Sequence, residues 1–146
     1  MVRIVSKRLG AIDLDESALL HFPVRLPGFE HCHRFALLEQ VPVAPIVFLQ
    51  SLDQQDICLL AAPVAAIDPA YELAMTADDS RALGRENTDD VICLAILAPA
   101  EDGQFTANLL APVVIDPKTR RAVQAVRVDS RYSHQHPLAR QETSCS

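Results

Sequence analysis

The sequence predicts a small, mainly β domain, antiparallel and either barrel-like or a sandwich, with one or two short helices. Three observations lead there. Ten prolines stand against four glycines, and proline removes a backbone donor from helices and central strands alike, which cuts a chain into short elements. Apolar runs recur at a spacing of roughly ten residues with turn formers between them, the pattern of sandwiches and small barrels. No alternation of strand and long amphipathic helix is present, so a parallel βαβ sheet is not expected.

The elements follow in order. Val2 and Ile4 alternate with polar neighbours, and the alternation returns at Ile12 and Leu14 after Gly10, which predicts an opening hairpin. Leu19 to Phe22 is a short strand ended by Pro23, and Pro23 to Gly28 is turn-rich. Arg34 to Glu39 and Ile46 to Ser51 resume β patterns. Ile57 to Ala62 and Val91 to Ala98 are apolar at both parities, as expected of strands covered on both faces. Thr76 to Arg85 is the best helix, with Thr76 as the cap, Asp78 and Asp79 at its N-terminal end and Gly84 as its stop. Phe105 to Ala111, Val113 to Asp116 and Ala122 to Val128 predict further strands, divided by Asp102-Gly103 and Asp116-Pro117.

The 146 residues suit one core. A single domain over residues 1–138 is expected, with 139–146 as a flexible tail because no periodicity remains there. Aromatics make up 5% with no tryptophan, so aliphatic side chains must fill the interior. The runs Ile57–Ile67 and Val91–Pro99 fall short of the ~18 residues that cross a bilayer. Charges spread through the first ten residues leave no secretory h-region, and a cytoplasmic location is expected.

The formal charge of −6 repels phosphate backbones and disfavours direct nucleic-acid binding, while favouring a basic protein partner. Cys32, Cys58, Cys93 and Cys145 form no C-x-x-C pair, and Cys58 and Cys93 read as small core residues. His31-Cys32-His33 could present two imidazoles on one strand face, but two ligands do not complete a metal site, and the segment reads as a surface loop. Four isolated glycines cannot build a phosphate cradle. Asp78-Asp79 and Asp89-Asp90 are neighbours whose side chains diverge, which suits a cap and a turn better than acid–base work. No catalytic residue, metal or cofactor is predicted.

The segment from Phe22 to Glu30 reads Phe-Pro-Val-Arg-Leu-Pro-Gly-Phe-Glu, and Phe48 to Asp53 reads Phe-Leu-Gln-Ser-Leu-Asp. Further on stand Asp68-Pro69-Ala70-Tyr71-Glu72-Leu73, then Thr106 to Ile115, Gln124 to Tyr132, and His136-Pro137-Leu138. In this order the motifs resemble the FliW family of flagellar assembly factors from Val2 to Leu138. The chain departs from the family in having Arg25 and Ala122 where glycine is usual. The resemblance implies a compact β domain without catalytic activity that binds two proteins: flagellin, and CsrA, an RNA-binding translational regulator. It implies that FliW freed by flagellin export binds CsrA and relieves repression of flagellin translation.

Protein contact is therefore expected at Phe22, Pro23, Leu26, Pro27, Gly28, Phe29 and Glu30, at Gln50, Ser51 and Asp53, and at Tyr132 and His136. Leu26 and Phe29 on a proline-stiffened loop would mark an interface if exposed, whereas Phe29 could equally plug one end of the barrel. The polar groups of Gln50, Ser51 and Asp53 could close a turn or meet a partner. The competing class is a small-ligand or metal-binding β-barrel that uses its interior and its histidines.

Overall fold

The computed structural model describes residues 2–7, 10–24, 26, 29, 31–39, 45–85, 90–100, 103–127, 129 and 131–138. Eleven strands and two short helices are present among them: β1 Val2–Ser6, β2 Gly10–Leu14, β3 Leu19–His21, β4 Arg34–Leu38, β5 Val47–Ser51, β6 Cys58–Pro63, α1 Val64–Ile67, α2 Ala77–Leu83, β7 Ile92–Pro99, β8 Phe105–Ala107, β9 Val113–Ile115, β10 Ala122–Gln124 and β11 His136–Pro137. β1 and β2 form a separate two-stranded sheet. The main sheet runs β10-β9-β7-β6-β5-β4-β3, and β8 and β11 extend it beside the far half of β7. Every ladder is antiparallel.

The opening hairpin takes the register its alternation requires, with Ile4 opposite Ile12 and Val2 opposite Leu14, and Gly10 supplies the left-handed backbone at φ +79° where it begins to return. Thr76 and Asp79 make a reciprocal capping box at the start of α2, and Gly84 ends the helix at φ 87°. Three predicted strands are shorter than their apolar runs. Phe105 to Ala111 pairs only to Ala107 because Asn108 Oδ1 then accepts from the N–H groups of Leu110 and Ala111 and turns the chain. β9 ends before Asp116, whose Oδ1 accepts from Lys118 N at 2.9 Å. β10 ends at Gln124. The four-residue helix α1, a 3-10 turn at Glu16–Ala18 and β11 carry no periodic signal long enough to be read from sequence. Asp102, Val128 and residues 139–146 lie outside the described residues.

The main sheet curls on itself without closing. Its edge strands meet where His21 N donates to Arg120 O at 2.9 Å, next to a parallel bridge between His21 and Arg121. That is one bridge rather than a ladder, so the form is barrel-like. Inside the curl lie Leu20, Phe22, Leu26, Cys32, Phe35, Leu37, Leu49, Ala61, Leu94, Val113, Ile115 and Ala122.

The outer face is covered as well, in three places. Ile4 of the hairpin packs on Ala36 and Leu38, Leu83 of α2 on Val114 and Val123, and Val64 of α1 beside Ala95 and Leu97. Successive residues of a strand therefore enter different cores: Phe35 and Leu37 point inward, Ala36 and Leu38 outward. The same division separates Ala61 from Ala62 and Leu94 from Ala95, which is the physical meaning of a run that is apolar at both parities. Ala122 is a fully buried member of the inner core and places its methyl group there.

Phe22 is 1% exposed and meets Phe35 edge-on at 5.3 Å between ring centroids. Phe22→Ala should lower stability by about 3–5 kcal/mol through lost burial and the cavity left behind. Urea unfolding checks this, and a loss below about 1 kcal/mol would mean that the ring does not seal the inner core.

Candidate protein-binding surface

Two groups of predicted contact residues occupy two different parts of the fold. The first gathers the loop after β3 and the turn after β5. Phe22 N donates to His33 O at 2.8 Å, and Leu52 N donates to Arg34 O at 2.9 Å, so the backbone on either side of β4's start is tied down. Phe22 and Leu26 are buried, and Phe29 is half-buried against the same core. Their apolar side chains face inward and are not a free surface patch. Among the described residues of this loop, Pro23, Val24 and His31 are exposed, Val24 to 60%. Pro27, Gly28 and Glu30, like Arg25, lie outside the described residues.

Gln50 and Ser51 are also buried. Gln50 Oε1 accepts from Ser6 Oγ at 2.7 Å, and its Nε2 donates to the carbonyls of Ser51 and Gln55. This amide joins the hairpin to the main sheet and satisfies its own polar atoms, as a buried group must. Ser51 Oγ donates to Cys32 Sγ at 3.2 Å and accepts from the N–H groups of Asp53 and Gln54. Ser51 thus closes the turn. Cys32 is fully buried, so the His31-Cys32-His33 segment is not a wholly solvated loop: its middle residue enters the core. Among the described residues no group of three histidine, cysteine or acidic side chains is placed to hold a metal.

Asp53 Oδ2 accepts from the N–H groups of His33 and Arg34 at 3.0 and 3.1 Å. Burial pushes its carboxyl upward, but the two backbone donors, with His33 and Arg34 nearby, outweigh burial and hold it below its ordinary value. Asp53 anchors the start of β4 through this acceptor pair.

The second group is built around Tyr132. Its ring lies 4.3 Å from Tyr71, tilted by 37°, and the Arg127 guanidinium stands 4.9 Å from the Tyr132 centroid. Arg127 forks onto Asp129 at 2.9 and 3.0 Å and also donates to Glu72 O. The paired carboxylate, ahead of the opposing effect of burial, holds Arg127 charged well above its ordinary range. Tyr71 Oη donates to Leu109 O at 2.7 Å, Tyr132 Oη accepts from Glu72 N at 3.1 Å, and Arg131 pairs with Glu72. His136 is half-buried and sits in β11 opposite Ala107.

Tyr71, Glu72, Arg127, Asp129 and Arg131 were not among the predicted contact residues. Tyr71 and Glu72 belong to one of the family-like motifs, but their spacing gives no hint that they meet residues some 60 positions away. Of the two free thiols in apolar runs, Cys58 and Cys93 are each only partly buried, and burial pushes the Cys93 thiol up to about 11, so it is protonated at neutral pH.

Among the described residues, no helix is long and apolar enough to cross a membrane.

Asp53 gives a pH test with a definite sign. A carboxyl held below its unfolded value of about 3.9 adds stability above that pH and loses it as pH falls toward the folded value. Asp53→Asn should therefore flatten the acid limb of the stability curve below about pH 4. Unfolding midpoints measured on both proteins from neutral to acid pH decide it, and parallel acid limbs would refute the anchor.

Residues 3–138 match the family described as FliW protein. The flagellar assembly factor FliW of Natranaerobius thermophilus is 32% identical over 139 residues, covering 94% of this chain and 92% of that protein. The one from Geotalea uraniireducens is 31% identical over 138 residues, covering 94% and 84%. A crystal structure of the flagellar assembly factor FliW superimposes with a TM-score of 0.83 at 26% identity, over 97% of this chain and 99% of that one. The ordered motifs, the curled sheet and these matches over almost the whole chain place the protein in the FliW family of flagellar assembly factors.

Proposed function

We propose that this chain is a cytoplasmic, non-catalytic regulator that binds flagellin and CsrA, and so couples flagellin translation to flagellin export. The carrying observation is that the match to the FliW family spans residues 3–138. The charge of −6 supports the CsrA side of the reading, because an RNA-binding partner carries basic surface. For flagellin to control CsrA, the two must couple negatively on this one domain, and such coupling is reciprocal. A standard interface takes about 800 Å² from each partner, so overlapping footprints are the simplest route to exclusion on so small a domain.

The surface available for contact is narrower than the motifs alone suggest. Phe22, Leu26, Gln50 and Ser51 act from beneath by shaping the loop and turn, while Pro23, Val24 and the Tyr132 cluster stand nearer the solvent.

Capture of bound proteins from a flagellated cell's lysate should return flagellin or CsrA, and recovery of neither by this chain would overturn the reading. With purified CsrA, association should slow as salt rises, since exposed charges are screened beyond ~8 Å at physiological ionic strength. An association rate indifferent to salt would speak against electrostatic steering. A complex holding this chain, flagellin and CsrA together, detected by mass in solution, would refute shared footprints.

A further inference from the structure

Where the β1–β2 hairpin lies on the main sheet, it leaves a groove of about 600 Å³ in front of the end of β4, within the ~300–1,000 Å³ range of built binding clefts. Ile12 and Leu14 of β2 form one wall, and Leu38 of β4 with Phe48 of β5 forms the floor. The rim carries Asp13, Asp15 and Glu39, and among the described residues no lysine or arginine lines the groove. Asp13 is already paired with Arg3 at 2.8 Å. Asp15 is held ionised by the N–H of Ser17, and Glu39 is exposed, so these two set the sign of the rim.

The strands beside the groove also have backbone to offer. Among the described residues β2 pairs only with β1, and the β3 ladder on β4 stops at Ala36, leaving Leu37 and Leu38 laddered to β5 alone. Unpaired strand edges next to alternating pockets are what an extended peptide uses when it adds to a sheet, its main chain bonding to the edge and its alternate side chains entering the groove.

We infer that this groove receives one extended segment of a protein partner in which apolar side chains alternate with lysine or arginine. The apolar set enters between Leu14 and Phe48, and the basic set meets Asp15 and Glu39. A second copy of this chain is disfavoured as the occupant, because its own charge of −6 would bring like charge to an acidic rim. The inference rests on the reading of the chain as a protein-binding factor, and adds to it the place and the chemistry of one contact.

The test uses the full chain, isotope-labelled, titrated with a capped synthetic peptide of alternating valine and lysine, beside a matched valine–glutamate peptide. Amide shifts should appear at Ile12, Ala18 and Leu38 with the valine–lysine peptide alone. Glu39→Lys, at an exposed position that leaves packing intact, should weaken that binding by about tenfold, and Ala18→Trp should block it sterically. No binding up to about 1 mM, shifts confined to other residues, or equal binding of the glutamate peptide would overturn the inference. Parallel capture of flagellin and CsrA separates the two readings. Wild-type chain that captures neither protein sinks the proposed function, whereas capture together with a silent peptide titration removes only the groove.

Discussion

The structure depends on one constraint: its central strands are apolar on both sides, so the sheet must be covered on both faces. Curling the sheet until His21 reaches Arg120 buries one face against itself. The other face is too long for any single covering element in a chain of this size. It is shared among the β1–β2 hairpin, α2, and α1 with the Tyr71–Tyr132 segment, each closing a separate cluster. Small alanines at Ala36, Ala62 and Ala95 let those covers approach closely.

Covering a strand twice traps polar groups, and these must find partners inside. Gln50 and Ser51 do so by joining three parts of the chain: the hairpin through Ser6, the loop after β3 through Cys32, and the turn before β6 through Gln54 and Gln55. Residues that look like an interface motif in one dimension are therefore a junction in three. Their hydrogen bonds hold Cys32 and the turn after β5 in place, while Pro23 and Val24 stand exposed. Arg127 plays the matching part at the other site, gathering Glu72, Asp129 and Tyr132 around one guanidinium.

Under the proposed reading, a rigid surface rather than a reactive group is what the chain must offer. Among the described thiols Cys32 is buried and Cys93 is held protonated by burial, and three of the carboxylates with depressed values, Asp15, Asp53 and Asp116, serve as caps and anchors that accept from backbone N–H groups. Such anchors keep loops in one conformation before a partner arrives, which reduces the ordering that binding would otherwise require.

Local chemistry is what the sequence by itself determined. The hairpin register follows from alternation around Gly10, α2 from its capping box and Gly84, and the two-sided strands from their unbroken apolar runs; family membership follows from motifs spread over the whole chain. Each of these rests on interactions a few residues apart or on a pattern carried within one element. Tertiary structure alone decided which polar residues go inside, that Phe22 and Leu26 face the core, and that Tyr71 meets Tyr132. The left-handed backbone of Arg120, at φ 62°, belongs with these, for arginine gives no local signal for it. So do β11 and the early end of β10, because short strands exist only where a distant partner supplies the ladder. These are contacts between residues far apart in the chain, set by how a curled sheet divides its two faces, and no local pattern carries that division.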